Sequence, residues 1–307
     1  MFWAGKKVLV TGAKGFVGRY LVDALIDASA EVIGLSTDGD EVEKEGLRWV
    51  VGDITKPASL QDICKDVDLV YHLAAISNVD ASIRNPLRTI ETNTMGTANV
   101  LEEARKAGVK KFVYVSSAHV YGVPQYLPID EKHPLVPREA YAASKIAAEN
   151  IVQAYGNTYG MEYAILRPFN MFGPGQDPSF LIPGVIEQAR KNGVIKVGNI
   201  EPTRDFLYVD DAIKAFLVVG EKGSGVFNVG SGKEIKISVV VTMIRDAIDP
   251  SIQVIDVDER KRAGKVELPR MRAEISRLLD LGWNGKYCFE EALLLTIRRE
   301  NGGLKSP

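Results

Sequence analysis

Only two cysteines occur in 307 residues, Cys64 and Cys288, far apart and without metal-like spacing. That scarcity argues against a disulfide framework or a metal site and leads us to expect a reduced, cytoplasmic protein. An excess of one charge is missing too: 38 Lys and Arg stand against 40 Asp and Glu, a net charge of −2. Such a balance gives no electrostatic reason for nucleic acid or an anionic membrane as partner, so an anionic ligand would be held by local groups. No apolar run approaches the ~18 residues that suggest a membrane span. The opening "MFWAGKKVLVTG" runs straight into a strand, with no charged-then-apolar leader pattern ahead of it. Internal repeats and low-complexity tracts are absent as well. What remains is an ordinary globular composition, 46% hydrophobic and 25% charged, long enough for a sizeable core.

The first half alternates short Val/Leu/Ile-rich runs with amphipathic stretches. Strands are expected at 6–10, 31–35, 47–51, 67–73, 110–115 and 161–167, and helices at 16–29, 57–65, roughly 86–107 and 138–159. Strands that are apolar throughout, separated by helices, predict a parallel sheet covered on both faces, a doubly wound α/β fold. Its ligands belong at the carboxyl ends of the strands. After Arg167 the texture changes: "RPFNMFGPGQDPSF" is rich in Pro, Gly and aromatics, which suits a binding loop. A helix at about 180–191, "RDFLYVDD" (204–211), a strand-like "GVFNVGSG" (225–232) and short helices follow.

"VLVTGAKGFVGRYL" places Gly12, Gly15 and Gly18 directly after the first strand and into the first helix. Glycine lets the backbone approach a pyrophosphate, and the helix N-terminus adds free N–H donors. We therefore expect a Rossmann-like dinucleotide-binding domain over 1–169, with Gly12, Lys14, Gly15, Phe16 and Gly18 at the cofactor. Residues 170–307 are expected to be mainly a smaller substrate-binding lobe, with segments near 204–230 returning to the first domain. Many NAD-binding folds carry an acid at the end of the second strand for the ribose 2′-hydroxyl; here Ser36 stands in that place. The missing acid, with Lys14 in the glycine loop, tilts the expectation from NAD(H) toward NADP(H), unless Asp38 substitutes for the acid. Asp53 and Ile54, in "GDI" after the third strand, are the expected adenine contacts.

"YAASK" sets Tyr141 and Lys145 four apart on a predicted helix, so both project from one face. A phenol is a poor acid–base near neutrality because its reference pKa is about 10; a nearby ammonium and the positive nicotinamide ring favour the phenolate and are expected to lower it. A serine hydroxyl alongside, from "SS" at the end of the preceding strand, would hold a substrate oxygen while the tyrosine moves its proton.

With "TGAKGFVG", "GDI", "HLAA" (72–75), "NTMGTANVL" (93–101), "SSAHVYG" (116–122), "YAASK", "RPFNMFGPG", "RDFLYVDD" and "FNVGSG" in order, the chain resembles the extended short-chain dehydrogenase/reductase family, in its nucleotide-sugar epimerase/dehydratase branch. The resemblance implies that Ser117, Tyr141 and Lys145 are catalytic, and that Ala74, Asn93 and Ser116 lie along the nicotinamide half of the cofactor. It further implies that Asn170 contacts substrate, and that Arg204 grips the nucleotide-sugar pyrophosphate; an internal ion pair with Asp205 is the alternative for that arginine. A nucleotide-diphosphate sugar as ligand is implied, and a homodimer through a four-helix bundle of the helices near 86–107 and 138–159. No metal is expected.

The pair after Ser117 sorts the reactions. In the 4,6-dehydratases of this family that hydroxyl is followed by Asp-Glu or Ser-Glu; here the places hold Ala118 and His119. Alanine transfers no proton, which disfavours dehydration. A 4-epimerase, resembling UDP-glucose 4-epimerase, is the first expectation. An NADPH-dependent 4-keto-sugar reductase is the second: "IKVGNIEPTRDF" (195–206), "RAGKVELP" (262–269) and the absent ribose acid are similar to GDP-4-keto-6-deoxymannose reductases. His119 is expected at the substrate, either bonding a sugar hydroxyl or moving a proton. A catalytically inactive cofactor-binding regulator is the third reading, against which Ser117, Tyr141 and Lys145 are all retained.

Overall fold

Apolar runs become buried strands in a computed structural model that describes residues 2–39, 45–257 and 267–299. Strand β1 (Lys7–Thr11) leads into helix α1 (Phe16–Asp27), then β2 (Glu31–Ser36) and β3 (Leu47–Val51). After β4 (Leu69–His72) come helices α2 (Val79–Arg84), α3 (Pro86–Ile90) and α4 (Gly96–Lys106), then β5 (Lys111–Val115). The long α5 (Ala140–Tyr159) precedes β6 (Glu162–Pro168). The second half supplies β7 (Asn170–Phe172), α6 (Leu181–Asn192), β8 (Val194–Val197), β9 (Thr203–Arg204), β10 (Phe206–Tyr208), α7 (Val209–Lys222) and β11 (Gly225–Val229). It ends with β12 (Ile235–Lys236), α8 (Ile237–Ile248), β13 (Gln253–Asp256), α9 (Ser276–Asp280) and α10 (Phe289–Arg299).

Seven strands form one parallel sheet in the order β11-β6-β5-β4-β1-β2-β3. The order reverses direction at β1 and β4, where Thr11 lies opposite His72; such a switch point opens a crevice beyond the strand ends. β5 is buried at every position because helices cover both faces. One face packs α1 and α7 with the second-half elements, and the other packs α4 and α5. β11, from beyond residue 220, closes the sheet against β6. The remaining short strands pair off outside it, β7 with β10, β9 with β12 and β8 with β13.

Two expected helices come out differently. The stretch 57–65 is only a single tight turn, Pro57–Leu60. Pro57 can open a turn, but Gln61 leaves it with ψ 130° and Asp62 adopts a left-handed φ of 60°. The stretch 86–107 is broken into α3 and α4 by a π-helical segment, Glu91–Met95. Single π turns inside helices are frequent at functional sites. Here Asn93 turns fully inward.

Candidate active site

A cleft of about 1840 Å³ opens at the carboxyl ends of the strands, between the sheet and the second-half elements. Its floor on one side is the glycine loop, which contributes Gly12, Lys14, Gly15, Phe16 and Gly18 to the lining. Gly12 has a φ of 68°, and a Cβ there would lie 2.9 Å from the Ala74 nitrogen. A Cβ on Gly18 would come within 2.1 Å of the Gly12 carbonyl oxygen. Helix α1 starts from Gly15 without a side-chain cap, so its first N–H groups remain available to a ligand. This cradle fits the pyrophosphate of a dinucleotide.

Around it, the expected cofactor residues divide by what they already hold. Lys14 Nζ donates to the Asp38 carbonyl at 2.8 Å and lies 5.3 Å from the Trp49 ring centre. Ser36 Oγ accepts from the Asp38 N–H at 3.2 Å; all three residues line the cleft beside β2. The Asp53 carboxylate is occupied by Thr55, accepting from its N–H at 2.9 Å and its hydroxyl at 2.8 Å, which holds the acid below its ordinary pKa. It lines the cleft with Ile54, whose carbonyl takes the Asn99 amide at 2.8 Å. Ala74 is braced from below: its N–H donates to Thr11 Oγ at 3.1 Å, as does that of Leu73 at 3.2 Å.

That brace continues through a histidine whose role the sequence did not disclose. With two N–H groups on its oxygen, Thr11 turns its own proton to His72 Nδ1, 2.7 Å away. His72 Nε2 then donates to Thr97 Oγ at 3.0 Å, and Thr97 donates to the Asn93 carbonyl at 2.6 Å. A neutral ring is required, and burial first, then the Lys145 charge, lowers His72 to about 3. Asn93 itself does not line the cleft. Its amide bonds the Ile76 N–H and carbonyl and the Ser144 hydroxyl, which ties α5 to the loop after β4.

Ser117, Tyr141 and Lys145 meet across the cleft from the glycine loop, and all three line it. Ser117 ends the run that follows β5, while Tyr141 and Lys145 sit one turn apart in the first half of α5. Burial pushes Tyr141 up to about 12; the neighbouring Ser117 hydroxyl opposes the rise and Glu139 adds to it. This reverses the lowering expected from Lys145. The Lys145 ammonium donates to the Val115 carbonyl at 2.8 Å and lies 4.9 Å from the Tyr114 ring centre, against 5.9 Å for Tyr141. Burial lowers Lys145 to about 7, with the Glu149 carboxylate opposing.

Ser116 lines the cleft, yet its hydroxyl points away and donates to Glu149 Oε1 at 2.5 Å. Glu149, one turn beyond Lys145, holds Arg167 through two bonds of 3.0 and 2.6 Å, both partners almost wholly buried. The spacing from Lys145 was the available signal for Glu149; nothing local marked Arg167 as its partner. Asn170 lines the cleft from β7, paired opposite Phe206. Arg204 also lines it, but the guanidinium already holds Glu267 at 2.8 Å and the Leu268 carbonyl at 2.6 Å. Asp205, its alternative partner, instead accepts from Ser231, Gly232 and Ala273. Of "RAGKVELP", residues 262–266 lie outside the described residues. Ala118 is buried among Val120, Tyr121, Ile129 and Phe169. His119 lines the cleft, edge-on to Tyr141 at 5.9 Å between ring centres.

The arrangement has clear relatives. Residues 8–230 match the model of the NAD dependent epimerase/dehydratase family. A putative UDP-glucose 4-epimerase of Methanocaldococcus jannaschii is 36% identical over 295 residues, covering 93% of this chain and 95% of that protein. A GDP-6-deoxy-D-mannose reductase of Pseudomonas aeruginosa is 35% identical over 302 residues, covering 94% and 95%. Among solved structures, the UDP-glucose 4-epimerase of Thermotoga maritima with UDP-glucose superposes with a TM-score of 0.91 at 28% identity, covering 97% of this chain and 100% of that one. A glycine cradle at the switch point, facing a Ser-Tyr-Lys wall, is thus what the motif order announced, and the chain belongs to the NAD dependent epimerase/dehydratase family.

Proposed function

We propose that the protein is a nucleotide-diphosphate-sugar 4-epimerase. A nicotinamide dinucleotide, when bound, supplies the hydride acceptor. Ser117 holds the C4 oxygen of the sugar, and Tyr141 takes and returns the proton on that oxygen. Lys145, fixed by the Val115 carbonyl, places its amine at the base of the wall. The observation that carries this reading is the gathering of Ser117, Tyr141 and Lys145 on the wall opposite the glycine cradle. Epimerisation is favoured over dehydration because Ala118 is a methyl group in an apolar cluster and offers no proton. Asn170 and the second-half elements would receive the sugar, and a substrate pyrophosphate would compete with Glu267 for the Arg204 fork.

The second reading, a 4-keto-sugar reductase using NADPH, is favoured by Ser36 at the ribose position and by Lys14 beside it. Extracting cofactor from purified protein separates the two. Retained NAD(H), with C4 inversion of a nucleotide hexose, is the expected result; protein that arrives empty and consumes NADPH with a 4-keto sugar overturns it.

We also propose a homodimer. Leu87 on α3 is 81% exposed, with Ile83, Ile90 and Met95 open beside it. An apolar strip of this kind needs a cover. Sedimentation should give a dimer that Leu87→Asp converts to monomer. Two free thiols, Cys64 buried and Cys288 exposed, suit the cytoplasm, and no helix among the described residues is long and apolar enough to cross a membrane.

A further inference from the structure

One carboxylate in the cleft wall is only half used. Glu139 stands immediately before α5, with its side chain 4% exposed. Its Oε2 accepts from the Ala142 N–H at 3.1 Å, capping the helix, while the Ser82 hydroxyl, 3.4 Å away, donates to the Val79 carbonyl at 2.7 Å. Its Oε1 is buried and has no hydrogen-bond partner. A helix cap needs one oxygen, so capping does not explain the second. A buried acceptor without a donor is unfavourable, and its retention calls for a reason.

Facing that oxygen, 3.5 Å away, is Nδ1 of His119. His119 lies in the turn Ala118–Tyr121 after β5, its backbone N–H donating to Ser117 Oγ at 3.2 Å. Its ring is edge-on to Tyr141, and its side chain is 26% exposed where it lines the cleft. The ring therefore touches both the proposed proton-transfer wall and the space for the sugar. An ionised carboxylate has no proton to give and can only accept from an imidazole. The proton then sits on Nδ1, and Nε2 keeps its lone pair.

We infer that Glu139 is a positioning residue and that His119, held by it, is a specificity-determining residue that offers Nε2 to the sugar as a hydrogen-bond acceptor. This rests on the nucleotide-sugar reading above and deepens it. An acceptor beside Ser117 and Tyr141 selects a hexose whose nearby substituent brings a hydrogen, a hydroxyl or an acetamido N–H. It works against a sugar that presents a keto or carboxylate oxygen there, because two acceptors would face each other unpaired. Glu139 and Tyr141 are the titratable groups that face the ring; the first sets its tautomer and the second shares its substrate.

The test uses the full chain. Three histidines occur, His72, His119 and His133, so long-range proton–nitrogen correlation spectra, assigned with His119→Gln, resolve the His119 ring. The expected result is the Nδ1–H tautomer in the wild type and the Nε2–H tautomer in Glu139→Gln. In that variant the amide oxygen can keep the cap on Ala142 while the NH₂ faces Nδ1. With a nucleotide hexose as substrate, Glu139→Gln should raise KM about tenfold, the cost of one mispaired hydrogen bond, with kcat within about threefold. Adding His119→Gln, whose amide can turn its oxygen to the sugar whatever stands at 139, should bring KM back down. A wild-type Nε2–H tautomer, an unchanged KM in Glu139→Gln, or an unrescued double variant overturns the inference. Wild-type protein that binds no UDP-, GDP-, CDP- or dTDP-sugar overturns the nucleotide-sugar reading and the specificity role with it. The tautomer is read without substrate, so the two failures are distinguishable.

Discussion

On one side of the cleft the working groups are main-chain atoms of a single unbroken stretch, Gly12 to Gly18, set by β1 and the start of α1. On the other side they are side chains brought from separate segments: Ser117 and His119 after β5, Glu139 to Lys145 at the start of α5, and Ser82 from α2. The first wall depends on the absence of side chains, since a Cβ at Gly12 or Gly18 would collide with backbone. The second depends on what lies behind each side chain. Lys145 is aimed by the Val115 carbonyl, and α5 is tied to the loop after β4 by Asn93 and Ser144. A backbone site tolerates changes in its neighbours; a gathered site is only as exact as its supports.

That contrast can be broken at its strongest point first. Tyr141→Phe keeps the ring and removes the proton carrier, so turnover of the nucleotide sugar should fall about 10²- to 10⁴-fold, the usual worth of a positioned acid–base. Unchanged turnover would remove Tyr141 from the chemistry. Next, Glu149→Gln strips a buried arginine of its counter-charge and replaces one of its two acceptors by a donor. Urea unfolding should show a loss of about 3–5 kcal/mol, the ordinary cost of breaking a buried pair from one side. A loss below about 1 kcal/mol would put the pair on a par with surface ion pairs.

On the backbone wall, Gly18→Ala drives a methyl toward the Gly12 carbonyl. Cofactor affinity, followed by fluorescence titration, should drop about tenfold or more, which is 1.4 kcal/mol of lost cradle geometry. A subtler contrast lies in pH. Lys145 is lowered by burial to about 7 in the folded protein, whereas an unfolded lysine titrates near 10.4. Between those values the unfolded chain binds the extra proton, so the stability of cofactor-free protein should rise with pH and lose that gain as pH falls toward 7. Lys145→Met removes the slope; melting temperatures at pH 7 and pH 9.5 for both proteins check it, and parallel behaviour would refute it. The smallest effect belongs to Lys14→Ala. If Lys14 favours a 2′-phosphate, NADPH should weaken several-fold more than NADH, a difference of about 1 kcal/mol for one exposed charge. Equal losses would leave Ser36 and Asp38 to decide the ribose.

Much of this was legible beforehand, for a physical reason that differs by element. The parallel sheet showed because doubly covered strands must be apolar at every position, as β5 is. The glycine loop showed because its function needs a spacing within one segment. Tyr141 and Lys145 showed because one helical turn sets them on one face. The helix expected at 57–65 failed because an amphipathic pattern says nothing of the left-handed Asp62. The break at Glu91–Met95 was hidden because its cause, the seat of Asn93 on Ile76, lies across the chain.

The amino-acid sequence by itself determined the fold, through burial periodicity, and the family, through its ordered motifs; the glycine cradle and the proposed wall of Ser117, Tyr141 and Lys145 were legible in those motifs. Tertiary structure alone decided what the charged and polar side chains are bound to. It gave Arg204 to Glu267 and not to Asp205, turned Ser116 toward Glu149, raised Tyr141 instead of lowering it, and set Glu139 behind His119. Those pairings depend on which distant segments share a low-dielectric space, and there a neighbour a few ångströms away outweighs anything the local sequence can specify.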